Sequence, residues 1–188
     1  MTIELSARRY APKYMIVDVS EGSGATSYPV TYTDAKPPEH GYNADEYKGD
    51  KIVLRLIPPG TFVAGSPTTE KGRTAANEVQ HRVVLTKPFY IGVFEVTQKQ
   101  WQHVMGSRWA CVYSNETDWA TRPVDNVPVT NVRKGNWPTE PLPNVEKAGS
   151  FIGTLTTKSG IAGFETPTEA QWEFACRAGT DTMLNSGR

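Results

Sequence analysis

The stretch Phe164–Thr180, F-E-T-P-T-E-A-Q-W-E-F-A-C-R-A-G-T, constrains this chain more than any other. It writes out a helix with both of its ends. Thr168 at the N-cap and Gln171 three residues on form a capping box, each side chain satisfying an amide of the first turn. Pro167 stands just before the cap, where it can staple against Trp172. Glu169 and Glu173 suit the positive N-terminal end, and Arg177 suits the negative C-terminal end. Gly179 supplies the left-handed residue that closes the helix. Trp172, Ala175 and Cys176 recur at i, i+3 and i+4, which predicts an apolar face turned to a core. The chain stops soon afterwards, so that face is expected to lack later partners.

A length of 188 residues allows one domain with a sizeable core, or one domain and an appendage. A hydrophobic content of 38% and a mean hydropathy of −0.48 suit a soluble globular protein with much loop. The 16 glycines and 14 prolines favour turns over long helices. Twenty basic residues balance 20 acidic ones, and no basic stripe appears, so neither nucleic acid nor an anionic membrane is an expected partner. No apolar run reaches the ~18 residues of a membrane span. No apolar stretch of a secretory signal follows Met1. The 2 cysteines do not define a disulfide framework.

Taken in order, Tyr14–Val19 and Tyr28–Tyr32 read as short strands joined by the flexible stretch Ser20–Ser27, which predicts a hairpin. Residues 34–50 are polar and break-rich and read as a linker or long loop, with the first boundary there. Lys51–Ile57 is a strand stopped by Pro58, Pro59 and Gly60. Thr61–Ser66, Arg82–Leu85 and Phe89–Val96 are three more, and Pro67–Val79 is irregular. Thr97 opens a second capped helix: it pairs with Gln100, Val96 can staple against Trp101, and Gly106 is the stop. The two helix starts share T-x-x-Q-W, but the residues around them differ, so we read shared capping physics and not a repeat. Residues 107–143 are a long loop that Trp109, Trp119 and Trp137 would have to support from within. Arg122–Val129 is its one extended run. Asn144 is a candidate cap for a third helix over Val145–Lys158. Val145, Ala148, Ile152 and Leu155 form its stripe, Gly149 and Gly153 weaken it, and Gly160 ends it. Several short strands, three short helices and long loops, without regular strand–helix alternation, make the expected class α+β.

Side chains suited to catalysis are sparse. His81 follows Glu78 by three residues, an arrangement that invites a metal, but no third ligand is near and a loop-pinning pair is the plainer reading. His103 lies on the Thr97 helix as a packed or partly exposed side chain, and His40 in the linker carries no signal. Cys111 and Cys176 are spaced neither as a redox pair nor as zinc ligands. Cys176, on the apolar helix face, is expected to be a small buried thiol, with a structural disulfide as the next reading. Glu165, Glu169 and Glu173 gather around the last helix, where dipole compensation explains the two on the helix. No nucleophile elbow, phosphate loop or dinucleotide fingerprint occurs. The tryptophans could line a groove, but Trp101 and Trp172 at helix N4 positions favour a core. No residue is assigned as catalytic, cofactor-binding or metal-ligating.

Six pieces in order carry a resemblance. They are I-P-P-G-T-F-V-A-G-S at 57–66, E-V-Q-H at 78–81, F-Y-I-G-V-F-E-V-T at 89–97, R-P-V-D-N-V at 122–127, T-K-S-G at 157–160 and P-T-E-A-Q-W-E-F-A-C-R-A-G at 167–179. Together, over residues 51–180, they resemble the family of formylglycine-generating, or sulfatase-modifying, enzymes; residues 1–45 match nothing in it. The resemblance implies a loop-rich α+β fold of the C-type-lectin-like kind. For the authentic enzymes it implies a copper-bound cysteine pair that, with molecular oxygen, converts a sulfatase cysteine to formylglycine. A soft thiolate pair is what selects Cu(I). Those cysteines and the calcium ligands lie in the family's C-terminal half, and this chain is expected to stop before it. Neither Cys111 nor Cys176 matches a catalytic position. Cys176 falls where some members place a structural cysteine whose partner lies further on.

The expected organisation is therefore a strand or hairpin segment and linker over 1–45, then the N-terminal portion of a sulfatase-modifying-factor domain over 51–188. Copper and calcium belong to the family through residues expected outside this chain, and no cofactor is assigned within it. Two functions follow. The first is part of a formylglycine-generating oxidase domain, inactive alone and marginally stable. The second is a non-catalytic lectin-like binding or scaffold domain on the same fold. A third, a relative joined to the histidine domain of an iron-dependent sulfoxide synthase, would need more than His40 in residues 1–50. The expected partners are a sulfatase polypeptide or another protein or glycan ligand. The resemblance also leans towards an exported bacterial protein.

Overall fold

Alternation along the strands sorts apolar side chains onto the two faces of one sheet. The computed structural model describes residues 1–4, 11–36, 41–74, 76–112, 117–133 and 149–181. Its strands are Thr2–Glu4 (β1), Tyr14–Asp18 (β2), Val30–Thr33 (β3), Lys51–Ile57 (β4), Gly60–Ala64 (β5), His81–Leu85 (β6) and Phe89–Gly92 (β7). Its α-helices are Asp45–Gly49 (α1), Gln98–Met105 (α2), Val129–Arg133 (α3), Phe151–Ser159 (α4) and Glu169–Arg177 (α5). Five strands form one antiparallel sheet in the order β1-β7-β4-β2-β3, while β5 and β6 pair apart from it as a two-stranded ribbon. This is an α+β protein with antiparallel sheets.

Met15 and Val17 of β2, Ile52 and Leu54 of β4 and Tyr90 of β7 share the main core. Helices α2 and α4 supply its other half through Trp101, Val104, Phe151, Ile152 and Leu155. Trp101 stacks on Phe151 with centroids 5.2 Å apart and planes 6° from parallel. Tyr14 and Val53, one residue out of phase, turn to the opposite face and join Tyr42 in a second cluster. Both faces of β2 and β4 are therefore covered, which is why their sequences read as nearly continuous apolar runs.

The predicted hairpin forms, with Met15 opposite Tyr32 and Ile16 opposite Thr31. β2 also pairs with β4, so the hairpin shares a sheet with the strands that follow it. The stretch expected as a linker is structured where it is described. Gly41–Asn43 is a 3-10 turn, α1 follows, and Tyr42 is buried against Tyr14 at 4.7 Å between ring centroids. Its apolar anchors are tyrosines in a charged setting, so no periodicity announces it.

Three further expectations shift. β7 ends at Gly92 and not at Val96; the Val93 amide still reaches the Val53 carbonyl at 2.9 Å before the chain turns into the Thr97 cap. The loop after α2 contains a 3-10 turn, Trp119–Thr121, and α3. Trp109 supports it: the indole lies 5.8 Å from Trp101 and donates to the Asn126 carbonyl at 3.0 Å. Helix α4 begins later than predicted, at a Ser150 cap whose hydroxyl accepts the Gly153 amide at 3.1 Å. Gly149 at φ 87° does not fit a right-handed helix, so the run cannot continue through it. Gly160 at φ 70° ends α4 as expected. Trp137, Asn144, Val145 and Ala148 lie outside the described residues.

Candidate functional site

Helix α5 keeps its predicted capping box. The Gln171 amide donates to the Thr168 hydroxyl at 3.2 Å, and the Thr168 amide donates to the Gln171 side-chain oxygen at 3.0 Å. The left-handed close begins one residue early, at Ala178 with φ 48°, and continues through Gly179 at φ 89°. The larger departure is Trp172. It does not take the core position that N4 favoured and matches instead the expectation of an uncovered face: the side chain is 57% exposed. Phe174 instead turns to the ribbon, its ring 5.3 Å from that of Phe62. Two residues apart on a helix are about 200° apart in direction, so seating Phe174 on the ribbon presents Trp172 to solvent. Cys176, one turn after Trp172, is not in a disulfide and is of intermediate burial, not fully buried as expected.

Glu173 and Arg177 fix α5 to the end of the ribbon. Glu173 Oε1 accepts the Gly65 amide at 3.0 Å and Arg177 Nη2 at 2.6 Å. The same Arg177 Nη2 donates to the Gly65 carbonyl at 2.7 Å. The acid read as dipole compensation thus has a tertiary use. Gly65 sits at φ 84°, and a Cβ there would lie 2.8 Å from the carbonyl oxygens of both Glu78 and Val79. Only glycine suits that approach.

The loop beyond Gly65 closes on Glu78. Its carboxylate accepts the Ser66 hydroxyl at 2.6 Å and the Thr74 amide at 2.9 Å. The hydrogen bond from Ser66, followed by that from Thr74, holds the carboxyl below its usual range. Arg73 adds bonds to Ser66 Oγ at 3.2 Å and to the Glu78 carbonyl at 3.1 Å. His81 Nδ1 lies 2.9 Å from the Val79 carbonyl, a local contact at the start of β6. Glu78 is therefore engaged in pinning the loop. Among the described residues no three His, Cys, Asp or Glu side chains are grouped to hold a metal.

The ribbon has two unlike sides. On the inner side, Gly60 lies so close to Phe174 that a Cβ would meet the ring at 2.5 Å. The outer side presents Thr61, Val63, Arg82 and Val84, all exposed, with Val63 at 52% and Val84 at 56%. Val79, just before β6, is 61% exposed. With Trp172, the unit formed by α5 and the ribbon holds four of the seven large apolar side chains exposed among the described residues. Alternation in T-F-V-A and R-V-V-L shows which ribbon side chains share a side. It does not show that the pair stands apart from the main sheet, so the bare side is not legible in the sequence.

Other candidates are engaged elsewhere. His103 Nε2 lies 3.1 Å from Asp50 Oδ1, and Lys99 Nζ lies 2.7 Å from the same oxygen. Burial alone would raise the Asp50 carboxyl, but the hydrogen bonds and charges of Lys99 and His103 together outweigh it and hold it below its usual range. Cys111 is buried, and its Sγ donates to the Asp125 carbonyl at 3.8 Å. Burial pushes that thiol up. Cu(I) is held by thiolates, and a thiol kept protonated is a poor ligand. Cys176 stands on another element. His40 lies outside the described residues. A cavity lined by Tyr47, Phe94, Val96 and Gln100 measures about 10 Å³, room for one water. No helix among the described residues is long and apolar enough to cross a membrane.

Comparison with known proteins places this geometry in a family. The model of the sulfatase-modifying factor enzyme 1-like domain matches residues 42–186. The chain is also similar to a protein named chaperone protein LppX from Paenibacillus barcinonensis. The two are 29% identical over 158 residues, which cover 74% of this chain and 51% of that protein. The chain thus spans about half the length of this curated relative. No solved structure gives a significant match. The family match takes in β4 to β7, the helices α1 to α5 and the ribbon alike, and the chain belongs to the family of sulfatase-modifying factor enzyme 1-like domains.

Proposed function

We propose that the unit of α5 and the β5–β6 ribbon binds extended or unfolded stretches of other polypeptides, making this chain a client-recognising domain. The observation that carries the proposal is the exposure of Val63 and Val84 on the bare side of the ribbon, with Val79 exposed just before β6. Exposed apolar side chains that share a side mark interaction surfaces. Two further points favour a polypeptide partner. The similar protein from Paenibacillus barcinonensis is named a chaperone. The reaction implied by the family resemblance acts on a cysteine within a polypeptide. On this reading the α+β body is a scaffold of the C-type-lectin-like kind, presenting a surface to its partner. Oxidation of a client cysteine rests on family membership alone, and the raised Cys111 thiol gives it no support in this chain.

The test is suppression of aggregation. The chain is titrated into a reduced, chemically unfolded client on dilution from denaturant. Light scattering is expected to fall towards baseline as the chain approaches the client concentration, while the folded client is not bound. Scattering unchanged at a large molar excess of chain overturns the proposal. The chain incubated with a sulfatase-derived cysteine peptide, copper and oxygen is expected to yield no aldehyde. A copper-dependent aldehyde seen by mass spectrometry would put oxidation in place of binding.

A further inference from the structure

We propose that the outer edge of β6 pairs, antiparallel, with an extended segment of the client. The segment carries an aliphatic residue opposite Val84 and an acidic residue two positions later, opposite Arg82. This rests on the polypeptide-binding reading and names its place and its pattern.

The argument begins at Gly65. Its amide and carbonyl go to Glu173 and Arg177, away from β6, whereas the next amide, of Ser66, reaches the Glu78 carbonyl. Backbone direction alternates along an antiparallel strand. Thr61 and Val63 therefore also aim their amides and carbonyls away from β6. Their register partners are Val84 and Arg82, which by the same alternation aim theirs away from β5. Among the described residues β6 has β5 as its one strand partner, and no hydrogen bond reaches Arg82 or Val84 from outside the ribbon. The free edge of β5 differs, because α5 side chains guard its end. Open edges are commonly blunted by proline, bulges or several charges. β6 reads H-R-V-V-L, with no proline and one permanent charge.

The side chains at this edge choose the occupant. Arg82 and Val84 are both exposed on the bare side of the ribbon, beside Val63. Residues of an added strand opposite them would project onto the same side and meet them as cross-strand neighbours. Arg82 has no acidic partner among the described residues, and neither β5 nor β6 contains an acid. An acid opposite Arg82 and an aliphatic side chain opposite Val84 complement this edge. A second β6 would bring further cations, so a client strand suits the edge better than another copy of the chain. Main-chain bonds would give the affinity and these two positions the selectivity, as in other strand-addition complexes.

The probe is a fluorescent peptide with a valine–threonine–glutamate core in an alternating threonine and valine frame, read by anisotropy against the full chain. Saturable binding is expected. Arg82→Glu should weaken it about ten-fold, a difference near 1.4 kcal/mol, and should restore binding to the peptide with lysine in place of glutamate. Methylating the peptide amides that face β6 should abolish binding. Because Arg82 is exposed and unpaired, thermal melting of Arg82→Glu should match that of the parent chain. Binding that ignores both Arg82→Glu and amide methylation overturns the edge assignment, while the polypeptide-binding reading stands on its aggregation test. Suppression of aggregation with no peptide binding also overturns the edge assignment. Sedimentation showing self-association lost in Arg82→Glu would give the edge to a second copy and overturn the proposal. Failure of aggregation suppression by the unaltered chain sinks the parent reading itself.

Discussion

Asp50 shows how one side chain can join two helices and carry a pH signature. It follows α1 and accepts from Lys99 and His103, which lie one turn apart on α2. Its carboxyl is held below the ordinary value of 3.8. A carboxyl depressed in the folded state contributes stability that is complete above the unfolded value and is lost as pH falls through the folded value. Urea unfolding is therefore expected to show stability declining as pH drops below about 4. Asp50→Asn should flatten part of that decline. At neutral pH it should cost about 0.5–1 kcal/mol, the modest figure suited to a partly exposed, solvent-screened cluster. Identical acid slopes for the two proteins would move the sensitivity to other carboxylates.

At the scale of elements, two helices begin with the same signal and meet different surroundings. α2 and α5 both carry T-x-x-Q-W and both build a complete capping box. Trp101 on α2 is 2% exposed, whereas Trp172 on α5 is 57% exposed. Thr97 also donates to the Lys48 carbonyl at 2.5 Å and is buried, while Thr168 is exposed. Thr97→Ala should accordingly cost about 2 kcal/mol and Thr168→Ala about 1 kcal/mol in chemical denaturation. The reverse order would mean that α5 is the more integral helix. The contrast also marks what the sequence can specify. Caps depend on residues three apart, and strands such as Lys51–Ile57 on a local run, so both are legible. α1 and α3 are five residues each, too short for a periodic stripe. The seating of Phe174 on Phe62, and with it the exposure of Trp172, is a contact across more than a hundred residues that no local pattern encodes. The Glu173–Gly65–Arg177 clamp escaped for the same reason: its acid looks like ordinary helix-end chemistry.

At the scale of the molecule, the main sheet covers both faces and the ribbon covers one. Two clusters flank β2 and β4, so that part of the structure is core. The ribbon and α5 lean on each other through Phe62, Phe174 and the clamp, leaving their outer surfaces apolar and open. Family membership fixes descent and leaves activity to be argued from the site. The site argued for is a surface that receives polypeptide, and it makes a spatial prediction. Hydrogen-exchange mass spectrometry of the chain, with and without a reduced and unfolded client, should show client-dependent protection in β5, β6 and α5, with the β2–β4 core unchanged. No client-dependent protection, or protection confined to α2 and the loop after it, would contradict the account.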